Sequence, residues 1–273
     1  MVNKKDITMI TVLYNPDKIV IENIKKSINV VGRIILVDNS SQNNAMYFKD
    51  LHNIQYIPLK RNTGIACALN TGIKASTSKF VLTMDQDSMI SKEMITEYIK
   101  FLNNYDDNTI GALTPRYDTD RHHEEKTKGY EAVKFSLQSG TLFKNTLFDQ
   151  IGYFKETLFI EGVDHEYFLR MKKYGYKLIK INSAVLTHHP AITREKSFLF
   201  FKLKYGFASP IRTYYKARNL FWIAKKYHSF EMYKGLSITW LKILFLYENK
   251  SKYLTAFRKG IKDEKKSRFG KYE

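Results

Sequence analysis

The chain has 273 residues, 44% of them hydrophobic and 14% aromatic, with one cysteine, Cys67. That content supports a packed core and argues against wholesale disorder, while a lone cysteine excludes an internal disulfide and a thiolate metal cluster and fits a reducing, cytosolic compartment. The net charge of +18 is uneven: residues 1–169 carry 20 Lys/Arg against 21 Asp/Glu, and residues 170–273 carry 25 against 6.

Residues 7–14 read as a buried strand closed by Asn15-Pro16. The run is too short for a secretory h-region and has no small-residue cleavage site. A helix over 17–29 repeats Ile21, Ile24 and Ile28 at helical spacing. Residues 33–37 form a second strand that runs into Asp38-Asn39-Ser40-Ser41, and residues 54–58 a third that leads to Arg61-Asn62-Thr63-Gly64. A helix from Ile65 carries Leu69 and Ile73 on one face, and the strand over 80–84 ends in Asp85-Gln86-Asp87-Ser88. Two carboxylates one residue apart at a strand's end read either as a solvated turn or as a site that shares a divalent cation with a phosphate.

Strands and helices alternating at this length predict a parallel sheet with helices on both faces, whose ligands bind beyond the carboxyl ends of the strands. Three polar clusters on that rim favour a nucleotide crevice. Asp38 could accept from a pyrimidine N–H or a ribose hydroxyl, and Gly64 at a helix start offers amide donors. Neither GxGxxG nor GxxxxGKS/T occurs, so a dinucleotide fold and a P-loop are unsupported.

A helix over 92–103 and a strand over 110–114 precede a polar loop at 116–131, in which His122-His123 read as exposed. Ser139-Gly140-Thr141 lead into an apolar segment, and residues 148–154 turn at Gly152. Glu161, Asp164 and Glu166 then run into a helix on which Glu166 and Arg170 are four apart, a pair worth about 0.2–0.5 kcal/mol. Asp164 could instead take a proton from a bound hydroxyl. Short strands at 177–181 and 184–186 precede Thr187-His188-His189-Pro190. A histidine there is either a surface group or a ligand for a divalent metal.

Beyond Pro190, residues 198–207, 214–227 and 231–247 mix aromatic and aliphatic residues with lysines, and Leu220, Ile223, Ala224 and Tyr227 recur at helical spacing. The longest apolar run, 236–247, contains Lys242 and is too short to cross a bilayer. These helices either pack on the preceding domain or another subunit, or face anionic lipid with Trp, Phe and Leu dipping among the headgroups. The lipid-facing arrangement is expected, with a loosely ordered tail at 262–271.

Taken in order, the motifs resemble the inverting GT-A-type glycosyltransferases of family 2, and among them the bacterial rhamnosyltransferases that use dTDP-L-rhamnose. The matching pieces are Thr11-Val12-Leu13-Tyr14-Asn15-Pro16, Val37-Asp38-Asn39-Ser40-Ser41, Arg61-Asn62-Thr63-Gly64, Asn70-Thr71-Gly72-Ile73, the DxD run Asp85-Gln86-Asp87, and Ser139-Gly140. Leu158-Phe159-Ile160, Asp164-His165-Glu166, His188, Tyr214-Tyr215 and Arg218-Asn219 complete the set, which spans nearly the whole chain.

The resemblance implies an α/β GT-A catalytic domain over residues 1–190, Rossmann-like with a mainly parallel mixed sheet, and a basic helical extension over 191–273. Val12 and Tyr14 would line the nucleobase site through their backbone, Asp38 would bond the base beside Asn39, and Asn62 and Gly64 would border the nucleoside. Asp85 would reach ribose or metal, with Gln86, Ser139 and Gly140 on the same nucleotide-sugar side. Asp87 and His188 would hold a Mg²⁺ or Mn²⁺ that bridges the diphosphate, and Asp164 would be the general base. The family's acidic pair usually reads Glu-Asp, whereas Val163 stands first here, so Glu161 and Glu166 are secondary candidates. Arg212 and Arg218 are expected on the acceptor or diphosphate side.

The implied activity is metal-dependent, inverting transfer of L-rhamnose to a hydroxyl of a polyprenyl-diphosphate-linked saccharide, in bacterial surface polysaccharide synthesis on the inner face of the cell membrane. A homo-oligomer is a further expectation. The same fold with a UDP-hexose or UDP-galactofuranose donor is the alternative. A nucleic-acid-binding protein would explain only the charge and leaves the strand-end clusters without a role, so no nucleic-acid partner is expected. A sugar-nucleotide pyrophosphorylase would need a Gly-rich N-terminal phosphate loop, which is missing.

Overall fold

Strand β1 (Ile7–Leu13) is buried along its whole length, the pattern of a strand covered on both faces of a sheet. It belongs to a computed structural model that describes residues 1–118, 128–187, 193–197 and 202–272. The chain divides into two compact units, one of residues 1–154 with 167–189 and one of residues 155–166 with 190–273.

In the first unit, α1 (Lys18–Ser27) starts where the Asp17 carboxylate accepts from the Val20 N–H at 2.9 Å, and it buries Val20, Ile21 and Ile24. Then come β2 (Arg33–Asp38), β3 (Ile54–Pro58), α2 (Ile65–Ala75) and β4 (Phe80–Asp85). Helix α3 (Lys92–Asn104) is capped by Ser91 and buries Met94, Ile95, Tyr98 and Phe101. Next are β5 (Ile110–Asp118), β6 (Tyr130–Val133), β7 (Thr141–Lys144) and α4 (Thr146–Ile151). Helix α5 (Val163–Lys173) and β8 (Lys177–Thr187) complete the set, the helix starting in the second unit.

The sheet order is β3-β2-β1-β4-β7-β5-β8-β6. Strands β3, β2, β1 and β4 are mutually parallel, as the alternating pattern predicts, while β7 runs antiparallel to both β4 and β5. Helix α2 lies close on this sheet: a Cβ at Gly72 would fall 2.5 Å from Ile10 Cγ2.

Two expectations for this unit change. The segments at 177–181 and 184–186 are one strand, because β8 bulges at 182–184, where its register against β5 jumps from Pro115–Ile181 to Arg116–Val185. Strand β6 occupies the end of the stretch read as a polar loop.

In the second unit, β9 (Thr193–Ser197) and β10 (Lys202–Gly206) form an antiparallel pair, so residues 202–206 are strand rather than helix. Helix α6 (Pro210–Tyr227) has proline in its first turn and ends at His228 in the left-handed conformation. Helices α7 (Phe230–Phe245) and α8 (Lys250–Lys265) follow. The tail is tied down rather than loose: the Gly270 N–H donates to the Thr157 carbonyl at 2.8 Å and the Tyr272 N–H to the Tyr215 hydroxyl at 2.7 Å.

Candidate active site

The sheet register gathers the polar clusters of the first unit. Val12 pairs with Asp85, and Leu13 with Asp38, so β1, β2 and β4 end together. Strand β7 runs against β4, with Thr83 opposite Thr141, which brings the preceding Ser139 and Gly140 to the same rim.

The loops there are cross-linked by side chains. Gln86 and Tyr14 bond reciprocally, the Tyr14 N–H donating to Gln86 Oε1 at 2.8 Å and Gln86 Nε2 to the Tyr14 carbonyl at 3.2 Å. Ser40 Oγ accepts from the Asn15 N–H at 2.7 Å. Asn39 Oδ1 accepts from the Thr63 N–H at 2.7 Å, and its amide donates to Asn62 Oδ1, which also accepts from the Gly64 N–H at 3.0 Å. Gly64, at φ +88°, turns the chain into α2.

Asp38 is only 1% exposed. Its carboxylate accepts from the Ser40 N–H at 2.9 Å, from the Asn44 amide at 2.8 Å and from the Tyr56 hydroxyl. Burial opposes its charge, but these hydrogen bonds outweigh burial and hold the carboxyl below its ordinary range. The residue expected to bond a base therefore also fixes the loop at 38–44. Burial and the hydrogen-bonded Asp38 carboxylate push the Tyr56 hydroxyl well above its ordinary value, so it stays a donor.

At the end of β4, Asp85 accepts from Gln138 Nε2, and its N–H donates to Ser139 Oγ at 3.0 Å. Ser139 Oγ in turn donates to Ser88 Oγ at 3.0 Å. Gln138 was not picked out by sequence reasoning, although it stands immediately before Ser139-Gly140. Asp87 is exposed two residues beyond Asp85. Both offer the hard oxygen donors that Mg²⁺ and Mn²⁺ take, and two carboxylates suit a cation whose other ligands come from phosphate and water. Among the described residues no three His, Cys, Asp or Glu side chains converge as a ready metal group. His188 lies outside those residues.

Asp164, Glu161, Glu166, Arg212 and Arg218 belong to the second unit. Asp164 opens α5 and accepts through Oδ1 from both the His165 N–H and His165 Nδ1, each at 2.8 Å. Burial works against the Asp164 charge, but the His165 charge and these hydrogen bonds lower its pKa overall. Burial likewise opposes the His165 charge, and Asp164 raises its pKa in spite of that.

The loop before Asp164 is strained, with Phe159, Glu161 and Gly162 at φ +65°, +64° and +78°. Asn219 holds it, donating through Nδ2 to the carbonyls of Leu158, Ile160 and Glu161 at 2.8, 2.7 and 2.8 Å. Arg218 is 1% exposed and donates to the carbonyls of Leu158 and Gly270, which makes it a tie between segments rather than an open cation for a diphosphate. Arg212 pairs with Glu161 at 2.6 Å. Glu166 is fully buried and accepts from the Tyr227 hydroxyl at 2.6 Å. Asp164 is thus the acidic residue of this segment least committed to holding it together.

Residues 8–199 match the family model described as Glycosyl transferase family 2. The chain is 30% identical over 249 residues to the dTDP-rhamnosyl transferase RfbF of Shigella flexneri, covering 82% of this chain and 81% of that protein. It is 23% identical to the low-salt glycan biosynthesis hexosyltransferase Agl10 of Haloferax volcanii, over 98% of this chain and 94% of that one. Among solved structures, S. aureus TarS 1-349 with UDP-GlcNAc superposes with a TM-score of 0.60 at 15% identity, over 96% of this chain and 83% of that one. The mannosyltransferase PcManGT of Pyrobaculum calidifontis, in complex with GDP-Man and Mn²⁺, superposes with a TM-score of 0.59 at 15% identity, over 93% and 72%. With a GT-A fold and a family match across most of its length, the chain is a glycosyltransferase and belongs to glycosyl transferase family 2.

Proposed function

We propose that this glycosyltransferase moves L-rhamnose from dTDP-L-rhamnose to a saccharide hydroxyl, with inversion at the anomeric carbon and with Mg²⁺ or Mn²⁺. The observation that carries the reading is the cross-linked rim around Asp85, where Gln138, Ser139 and the Tyr14–Gln86 bridge hold a carboxylate at the strand end. The donor assignment is supported by the 30% identity to the Shigella flexneri enzyme.

In this reading the backbone of Val12 and Tyr14 borders the base, with Asp38 and Asn39 holding the adjoining loop. Asn62 and Gly64 flank the nucleoside. Asp85 and Asp87, with His188 as a further ligand, would hold the cation, which when bound neutralises charge developing on the departing nucleoside diphosphate. Asp164, ionised beside His165, accepts the acceptor's hydroxyl proton as the new C–O bond forms and the bond to the diphosphate breaks. General-base assistance of this kind contributes about 10²–10⁴-fold. The acceptor in this reading is a polyprenyl-diphosphate-linked saccharide, reached from the inner face of the cell membrane.

The test is donor turnover by the purified enzyme with dTDP-rhamnose, UDP-hexoses and UDP-galactofuranose, with and without a chelator. Turnover confined to dTDP-rhamnose and abolished by the chelator is expected. Use of a UDP-sugar with no binding of dTDP-rhamnose overturns the rhamnosyl assignment.

A further inference from the structure

Helix α7 is apolar on almost every side: its sixteen residues include one acidic side chain, Glu231, and two basic ones, Lys234 and Lys242. Met232, Leu236, Thr239 and Ile243, three or four apart, face inward and are buried. On the opposite arc Phe230 is 77% exposed, Phe245 62%, Leu241 46%, Trp240 45% and Ile238 43%. A helix apolar all round is ordinarily covered all round, and a contiguous exposed apolar face marks an interaction surface. Within the same unit the face continues into a groove lined by Phe221 of α6 and by Phe257 and Ile261 of α8.

Charge selects the occupant. Lys234 lies within the outer arc of α7, and exposed Arg258, Lys262 and Lys265 follow the groove-lining residues of α8 at helical spacing. Residues 170–273 hold 25 Lys/Arg against 6 Asp/Glu. A symmetric contact between two copies would set these cations against themselves. An anionic bilayer offers both an apolar layer for the aromatic and aliphatic side chains and negative headgroups for the lysines. At 1.5 Å per residue α7 is about 24 Å long, short of the ~30 Å hydrocarbon core. No described helix is long and apolar enough to cross a membrane. We propose that α7, flanked by the basic face of α8, lies in the plane of an anionic membrane surface and docks the protein there. The inference names the surface behind the membrane location in the functional reading above, but it does not depend on the donor sugar.

The experiment is flotation of the full chain with phosphatidylcholine vesicles, with and without phosphatidylglycerol and without nucleotide sugar, over a range of salt. Binding to the phosphatidylglycerol vesicles that weakens with salt is expected, with a blue shift of Trp240 emission in a Trp222→Phe background. Trp240→Ser combined with Leu241→Ser changes only exposed side chains, so folding should survive. It should reduce partitioning roughly tenfold or more, with turnover of donor by water unchanged. Absence of vesicle binding overturns the proposal, as does a double variant that binds like the parent. A dimer abolished by the double variant, without vesicle binding, would assign the face to a second copy. Donor turnover is read separately, so either proposal can fail alone.

Discussion

Asp164 receives two hydrogen bonds from its neighbour His165, one from the main chain and one from Nδ1, on a single carboxylate oxygen. The Asp164 pKa is lowered from 3.8, so the stabilisation it draws from the pair is present above 3.8 and lost as pH falls through the lowered value. The His165 pKa is raised from 6.5, so its share is present below 6.5 and lost as pH rises through the raised value. Replacing His165 with Ala removes the cation and the side-chain bond, and the Asp164 pKa should rise. The acid limb of kcat/KM against pH should move upward in His165→Ala. An unmoved limb would separate His165 from the basicity of Asp164.

Asp164→Asn keeps the shape and removes the proton acceptor. Transfer should fall by about 10²–10⁴-fold while donor affinity, measured by calorimetry, stays near that of the parent. Near-normal transfer would place the base elsewhere, with Glu161 or Glu166 next in line.

Gln138 bonds the Asp85 carboxylate, and Asp87 stands exposed beyond it. Gln138→Leu removes the amide that holds the Asp85 carboxylate in place, which should weaken metal-dependent donor binding. Asp87→Ala should remove the metal-dependent part of donor affinity. Titrating nucleoside diphosphate with and without Mn²⁺ distinguishes the two, and an Asp87→Ala protein with unchanged metal dependence would contradict the ligand role.

Asn219→Ala leaves three carbonyls of the strained loop without their shared donor. A loss of about 1–3 kcal/mol of stability is expected by denaturant unfolding, together with a fall in kcat larger than any change in donor KM. A variant with lowered stability but parental kcat would restrict Asn219 to a structural role.

Gly72→Ala would place a methyl 2.5 Å from Ile10 Cγ2 and 3.1 Å from Val37 Cγ2. Overpacking of this kind costs about 1–3 kcal/mol, read as a lower Tm with donor specificity unchanged.

The first four parallel strands were legible because each is a short apolar run that ends in polar residues, and Asp85 with Asp87 follows directly from that placement. The partners of Asp38 were not legible. Tyr56 comes from the next strand and Asn44 from an irregular loop, and no fixed spacing connects them. Arg218 read as an available cation because charge is normally exposed. Its burial depends on carbonyls of Leu158 and Gly270, far away in sequence. Strand β8 read as two pieces because Asn182-Ser183 interrupt its apolar pattern, and the bulge that carries the chain across depends on pairing with β5.

Gln86 and Tyr14 exchange two hydrogen bonds as opposed residues in a ladder do, beyond the last paired residues of β1 and β4. This side-chain rung joins the turn after β1 to the turn after β4 mechanically. In the proposed reading, a displacement of one turn, when a base stacks or a diphosphate draws on the carboxylates, would be carried to the other. The two ends of a bound nucleotide would then meet one connected frame, and substitution of Gln86 should uncouple them.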